Sequence, residues 1–152
     1  MAREPIPDLF RLLQVFDEEV QVLALKLRAL VLDIFPGANE LIYDNYNALA
    51  IGYSLSDKQK DMFCHIAVYS KHVNLGFDQG VGLDDPQKML KGTGTRIRHI
   101  TVTAFAAFQA DYAKDLLQQA HQLALEDFGN KPPSITGQSI VKSVSANKKR
   151  PF

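Results

Sequence analysis

The chain has 152 residues and carries no formal net charge, because 17 Lys and Arg residues balance 17 Asp and Glu residues. Hydrophobic residues make up 46% and charged residues 22%, ordinary globular values that exclude a wholly disordered or collagen-like chain. The length indicates one domain, and the single cysteine, Cys64, excludes an internal disulfide framework and favours a reducing compartment.

The N-terminal part of the chain predicts one long helix over residues 8–35. Its apolar residues recur at three- and four-residue steps, which is helical spacing, and Pro36-Gly37 ends it. A break near Phe16-Asp17 is the alternative. Residues 1–7 lack the apolar segment of a secretory signal, and charged residues interrupt the apolar region 20–35. We therefore expect a cytoplasmic protein with no membrane partner.

The middle of the chain predicts five short strands, and a second helix follows them. Runs rich in β-branched and aromatic residues alternate with turn residues, and the helix ends at Gly129. The short links between strands favour an antiparallel sheet, with both helices packed on one face in an α+β fold. The predicted strands are 40–44, 48–53, 62–69, 72–77 and 98–103, and the predicted second helix is 104–128.

The last 23 residues differ from the rest in charge. Residues 130–152 contain five basic residues and no acidic residue, which leaves residues 1–129 with 12 basic and 17 acidic residues. The neutral total thus combines an acidic body of −5 with a basic segment of +5. Prolines at 132 and 133 and many serines favour a flexible tail. We expect a single domain over 1–129 that keeps its fold when residues 130–152 are removed.

Strand alternation predicts which face of the sheet is free of helices. In the third strand, Met62, Cys64, Ile66 and Val68 would face the helices, while Phe63, His65, Ala67 and Tyr69 would face away. A two-residue turn at Ser70-Lys71 would place Tyr69 opposite His72, Ala67 opposite Asn74 and His65 opposite Gly76. In the second strand, Leu49, Ile51 and Tyr53 would lie in the core, with Ala48, Ala50 and Gly52 on the other face.

This helix-free side, the open face, combines small residues with His, Tyr and Asn and carries almost no full charge. A solvated sheet face usually carries Lys, Glu and Thr, so the composition favours a shallow ligand cleft or a subunit interface. The alternative is that the Gly-rich loop, residues 78–97, packs against the face and fills it.

Motifs for other chemistry are weak. Cys64 and His65 are adjacent strand residues that point to opposite faces, so they do not form a nucleophile–base pair, and Cys64 is typical of a small core residue. His65, His72 and His99 are candidate metal ligands without a recognised ligand spacing. The basic tail lacks interleaved aromatic residues, which disfavours nucleic acid as a partner. We expect no enzymatic activity.

Residues 69–100 read YSKHVNLGFDQGVGLDDPQKMLKGTGTRIRHI, and this segment resembles the YdhG-like domains, family 1801 among the domains of unknown function. The resemblance extends over about residues 8–128. It implies a small protein with an antiparallel sheet and terminal helices, and some members of the family are described as frataxin-like iron chaperones. The matching positions are Tyr43-Asp44, Ala50, Gly52, Tyr69, His72, Leu75-Gly76-Phe77, Gly80, Leu83, Asp85-Pro86, Leu90, Gly92 and Arg98-His99-Ile100.

These observations predict a small binding module whose ligand lies between the open face and the Gly-rich loop. Tyr69 and His72 would supply hydrogen bonds, and Arg98 would compensate an anionic group. The alternatives are an iron chaperone, with iron as the bound species, and a homodimeric interaction protein that uses the same face. The candidate ligand-binding residues are Asp44, His65, Tyr69, His72, Asn74 and Arg98.

Overall fold

The computed structural model describes residues 3–133 and 135–147 and has an α+β fold. Its three α-helices are α1 (Pro7–Leu13), α2 (Glu18–Ile34) and α3 (Ala110–Phe128). Its six strands are β1 (Asn39–Asp44), β2 (Leu49–Ser54), β3 (Met62–Val68), β4 (Val73–Phe77), β5 (Arg98–Val102) and β6 (Ser139–Val144). Among the described residues, no helix combines the length and the apolar character needed to span a membrane.

The strands form one mixed sheet in the order β5-β4-β3-β2-β1-β6. Neighbouring strands from β5 to β1 are antiparallel, but β6 pairs in parallel with β1. The expectation of five antiparallel strands is therefore wrong, because part of the segment assigned to the tail forms the sixth strand. Its Ile140, Val141 and Val144 are β-branched residues that the serines and lysines around them obscure. The basic residues 148–150 lie outside the described residues.

The helices differ from the expectation in two places. The segment predicted as one helix over 8–35 forms two helices, separated by the non-helical residues 14–17, which include the Phe16-Asp17 break considered from the sequence. The acidic Glu18 and Glu19 open α2, where they complement the positive end of its dipole. The second predicted helix begins at Ala110 instead of 104 and ends at Phe128, and Gly129, whose φ of 76° suits glycine, caps it.

The hydrophobic core lies between the three helices and one face of the sheet. The residues that face the helices alternate along each strand, so β2 contributes Leu49, Ile51 and Tyr53 and β4 contributes Val73, Leu75 and Phe77. All six of these side chains are buried, at no more than 1% exposure. None of the three α-helices packs on the opposite side of the sheet in the described chain, so the open face exists as the alternation predicts.

A buried ion pair connects the core to the sixth strand. Glu40, at 0% exposure, accepts hydrogen bonds from Arg28 Nε at 2.7 Å, Tyr53 Oη at 2.9 Å and Ser139 Oγ at 2.7 Å. Burial, and then the nearby Glu40 carboxylate, raise the pKa of Tyr53, so the phenol remains a donor. Because each carboxylate oxygen has partners, the charge is stabilised in the core and links α2, β1, β2 and β6.

Candidate functional site

The open face has the cross-strand register that the Ser70-Lys71 turn predicts. His65 lies opposite Gly76, and Ala67 lies opposite Asn74. The Tyr69 N–H donates to the His72 carbonyl at 3.0 Å, which places these two residues opposite each other beyond the ends of β3 and β4. His65, Tyr69, His72 and Asn74 therefore share the open face, as expected.

The side chain of His65 lies across Gly76. A Cβ built on Gly76 would come within 2.1 Å of His65 Nε2, so the ring occupies the space that any larger residue would need. Its Nδ1 is 3.0 Å from Asp78 Oδ1, and the two side chains are 17% and 20% exposed. Asp78 thus fixes the orientation of the imidazole from the C-terminal end of β4.

Three of the candidate residues make contacts with their neighbours on this face. The rings of Tyr69 and His72 are stacked, with centroids 4.7 Å apart and an interplanar angle of 15°. Asn74 Oδ1 accepts a hydrogen bond from Thr101 Oγ1 at 3.0 Å. Tyr69 and His72 lie at the hairpin end of the sheet, opposite the end where His65 meets Asp78.

The structure places the other two candidate residues on the opposite side of the sheet, which corrects the expectation for Asp44 and Arg98. Asp44 pairs with the core residue Leu49 and is 2% exposed. Arg98 pairs with the core residue Phe77, and its Nη1 donates to the carbonyls of Gly94 and Ile97, each at 2.7 Å. Alternation along β1 and β5 is the physical reason, since each residue is offset by one position from those on the open face.

The start of β3 also departs from the prediction. The register shifts between Tyr53 and Ser54 of β2, so strict alternation fails at the first residues of β3. The Met62 side chain lies over Gly52 on the open face, at 2.4 Å from a Cβ built there. Phe63, expected on that face, is buried at 1% exposure in the core.

A cleft of about 610 Å³ lies at this end of the open face, between the sheet and the Gly-rich loop. Met62 and Asp78 form its sheet side, and the loop residues 94–97 form the other side. We call it the loop cleft, and its lining is Gln59, Lys60, Met62, Asp78, Gly94, Thr95, Arg96 and Ile97. It brings the His65–Asp78 pair to the edge of a cavity, whereas Arg98 lines a separate cavity of about 250 Å³ with Asp85 and Leu90.

Two residues of the open face were not among the candidate ligand-binding residues, although His99 was considered as a metal ligand. His99 pairs with Gly76, and burial, followed by repulsion from Lys91, His65 and His72, lowers its pKa. Tyr43 pairs with Ala50, and burial, followed by the Asp78 carboxylate, raises its pKa. Strand alternation would have found both, since each is the immediate strand neighbour of a core-facing residue, Ile42 for Tyr43 and Ile100 for His99.

Cysteine and metal-ligating side chains are the groups that could carry other chemistry. Cys64 is buried at 0% exposure, and burial raises the pKa of its thiol, as for a core cysteine. Within residues 3–133 and 135–147, no group of three or more His, Cys, Asp or Glu side chains is arranged to hold a metal ion. The loop cleft offers hydrogen-bond donors, two cations and an apolar wall.

Comparison of the chain with family models, curated proteins and solved structures finds no match in any of the three.

Proposed function

We propose that this protein is a small, non-enzymatic binding module that holds a small molecule in the loop cleft. The observation that carries the proposal is the cleft of about 610 Å³ between the open face and residues 94–97. This volume lies within the range of pockets that enclose small ligands. As in the expectation from the sequence, the proposed ligand lies between the open face and the Gly-rich loop, but toward His65 and Asp78 instead of Tyr69 and His72.

The lining of the loop cleft supports a ligand with both polar and apolar parts. Met62 and Ile97 provide apolar surface, and Ile97 is 49% exposed. Gln59 and Thr95 provide hydrogen-bond donors and acceptors beside the charged Arg96. A few polar groups beside an apolar wall are typical of small-molecule sites, where the polar groups orient the ligand.

Nuclear magnetic resonance titration tests the proposal. We expect a set of small neutral, anionic and cationic compounds to include ligands that shift the backbone amides of Thr95, Arg96 and Asp78 with saturation. The variant Thr95→Trp places an indole in the cleft and should abolish these shifts. The matched variant Thr93→Trp changes an exposed residue of the same loop outside the lining and should retain them. Shifts confined to other surfaces, or equal loss in both variants, would contradict the proposal.

We also infer from residues 69–100 that the chain is a relative of the YdhG-like domains, and the two alternative functions keep their own tests. Titration with ferrous iron would broaden the resonances of residues 17–19, His65 and His72 in an iron chaperone. Light scattering at high protein concentration would show a dimer in an interaction protein. Either result, without ligand binding in the loop cleft, would favour that alternative.

A further inference from the structure

We propose that the ligand of the loop cleft is an organic anion, whose charged oxygens meet Lys60, Arg96 and the backbone amides of residues 94–97. The inference rests on the proposed function, since it names the ligand class of the same cleft. Phosphate and carboxylate groups share this chemistry, because both accept charge-assisted hydrogen bonds from ammonium, guanidinium and amide donors.

The charged side chains of the cleft are the first observation that favours an anionic ligand. Lys60 and Arg96 line it, and neither side chain has an ion pair or hydrogen bond with any residue that the structure describes. The carboxylate of the lining, on Asp78, is held by His65 Nδ1 at 3.0 Å. The cleft is therefore cationic within a body, residues 1–129, whose net charge is −5. Such a local reversal of charge favours a negatively charged ligand.

The backbone of the Gly-rich loop is the second observation that favours an anionic ligand. Arg98 Nη1 donates to the carbonyls of Gly94 and Ile97, at 2.7 Å each, so these two acceptors already have a partner within the chain. The N–H groups of residues 93–97 donate to no acceptor in the described part of the chain. These N–H groups are therefore available to an acceptor in the cleft, which residues 94–97 line, and successive backbone donors are a common feature of anion sites.

The role of Arg98 changes accordingly. The sequence suggested that its guanidinium would itself compensate an anionic group. In the structure it is a positioning residue, because it binds the loop carbonyls and lies outside the lining of the cleft. Its charge still faces the loop, so it contributes to the positive potential around the amides of residues 94–97.

The apolar wall of the cleft is the third observation, and it favours an organic anion over an inorganic one. Met62 and Ile97 lie on the same cavity as the two cations, and the cavity volume of about 610 Å³ exceeds what a single phosphate group needs. A short alkyl group attached to the anion would cover this apolar surface, and its burial would add to the affinity.

Titration of the full chain with simple probes at fixed ionic strength tests the inference. The probes are butyl phosphate, pentanoate, inorganic phosphate, butylamine and butanol, and the readout is the shift of the amides of residues 94–97. We expect the two organic anions to bind more tightly than the other three, and the tighter of the two identifies a phosphate or a carboxylate ligand. Arg96→Gln and Lys60→Gln should each weaken that binding roughly two- to fivefold. Lys114→Gln, a change of an exposed residue on α3, should leave it unchanged.

The outcomes distinguish the inference from the proposed function. Saturating shifts with butanol or butylamine, and none with the anions, would overturn the inference and leave the loop cleft as a binding site. Equal affinity of the anions for the wild type, Arg96→Gln and Lys60→Gln would also overturn it. The absence of any shift in residues 94–97 with all probes would overturn both proposals.

Discussion

The imidazole of His65 lies across the backbone of Gly76, its partner on the adjacent strand, with Nε2 at 2.1 Å from the place where a Cβ would be. The same ring is 3.0 Å from Asp78 Oδ1 through its Nδ1. Gly76 is therefore the residue that permits the His65–Asp78 contact at the edge of the loop cleft. A side chain at position 76 and this orientation of the imidazole exclude each other.

Gly76→Ala should displace the His65 ring and break its contact with Asp78. Overpacking of this kind costs about 1–3 kcal/mol of unfolding free energy, measured by urea denaturation. In a His65→Ala background the ring is absent, so Gly76→Ala should cost nothing or stabilise the strand slightly. Gly37→Ala, where a Cβ would meet nothing within 4 Å, is the control. An equal cost of Gly76→Ala in both backgrounds would show that His65 is not the obstacle.

The face that carries His65 was predictable because one turn fixes the register. The two-residue loop Ser70-Lys71 places β3 against β4, and the alternation of small and large residues then assigns each side chain to a face. The position of a ligand between this face and the Gly-rich loop was inferred from the composition of the face, and it stays a prediction. The reasoning from alternation could have included His99, which lies opposite Gly76.

Other parts of the structure depend on contacts that a single sequence does not encode locally. The shift at Tyr53/Ser54 exchanges the faces of Met62 and Phe63, and no turn residue marks it. The strand β6 follows two prolines, and its place beside β1 depends on Glu40, about a hundred residues earlier. Asp44 was assigned by its family resemblance, but alternation along β1 puts it on the other side of the sheet.

His121 should make the stability of the protein depend on pH. Its imidazole packs against the rings of Phe35 and Phe63, at centroid distances of 4.5 and 5.0 Å, and burial lowers its pKa. The unfolded chain therefore binds a proton more readily than the folded one, so stability declines as pH falls below the unfolded value of about 6.5. Urea denaturation between pH 7.5 and 5 should show this decline.

The stability of the variant His121→Phe should decline less as pH falls, since the variant lacks one imidazole that binds a proton less readily in the folded state than in the unfolded state. Part of the decline should remain, because burial lowers the pKa of His99 as well. Identical slopes in the wild type and His121→Phe would contradict the assignment.

Ser139 should connect the sixth strand to the stability of the core. Its hydroxyl donates to the buried Glu40 at 2.7 Å, so Ser139→Ala leaves one oxygen of that carboxylate with fewer donors. We expect a loss of about 1–3 kcal/mol in unfolding free energy. Ser143→Ala, on the exposed end of the same strand, should change it by less than about 0.5 kcal/mol.

The Ser139 contact also bears on the tail. The charge contrast predicts that removal of residues 130–152 leaves the fold intact, and circular dichroism of the shortened chain tests that prediction. The structure adds that the shortened chain should unfold at lower urea concentration, because β1 loses its pairing with β6. A Ser139→Ala variant as stable as the wild type would mean that β6 is not coupled to Glu40 in solution.

Arg98 should control the order of the Gly-rich loop without contacting a ligand. Arg98→Met removes both hydrogen bonds to the carbonyls of Gly94 and Ile97, so nitrogen-15 relaxation should give lower order parameters for residues 94–97. Arg96→Met changes a neighbouring cation whose side chain makes no such bonds in the described chain, and it should leave the order parameters unchanged. If Arg98→Met keeps the loop ordered, the carbonyl contacts do not position the backbone donors. If Arg98→Met both lowers the order parameters and weakens anion binding, the backbone N–H groups of residues 94–97 bind the anion because Arg98 positions them.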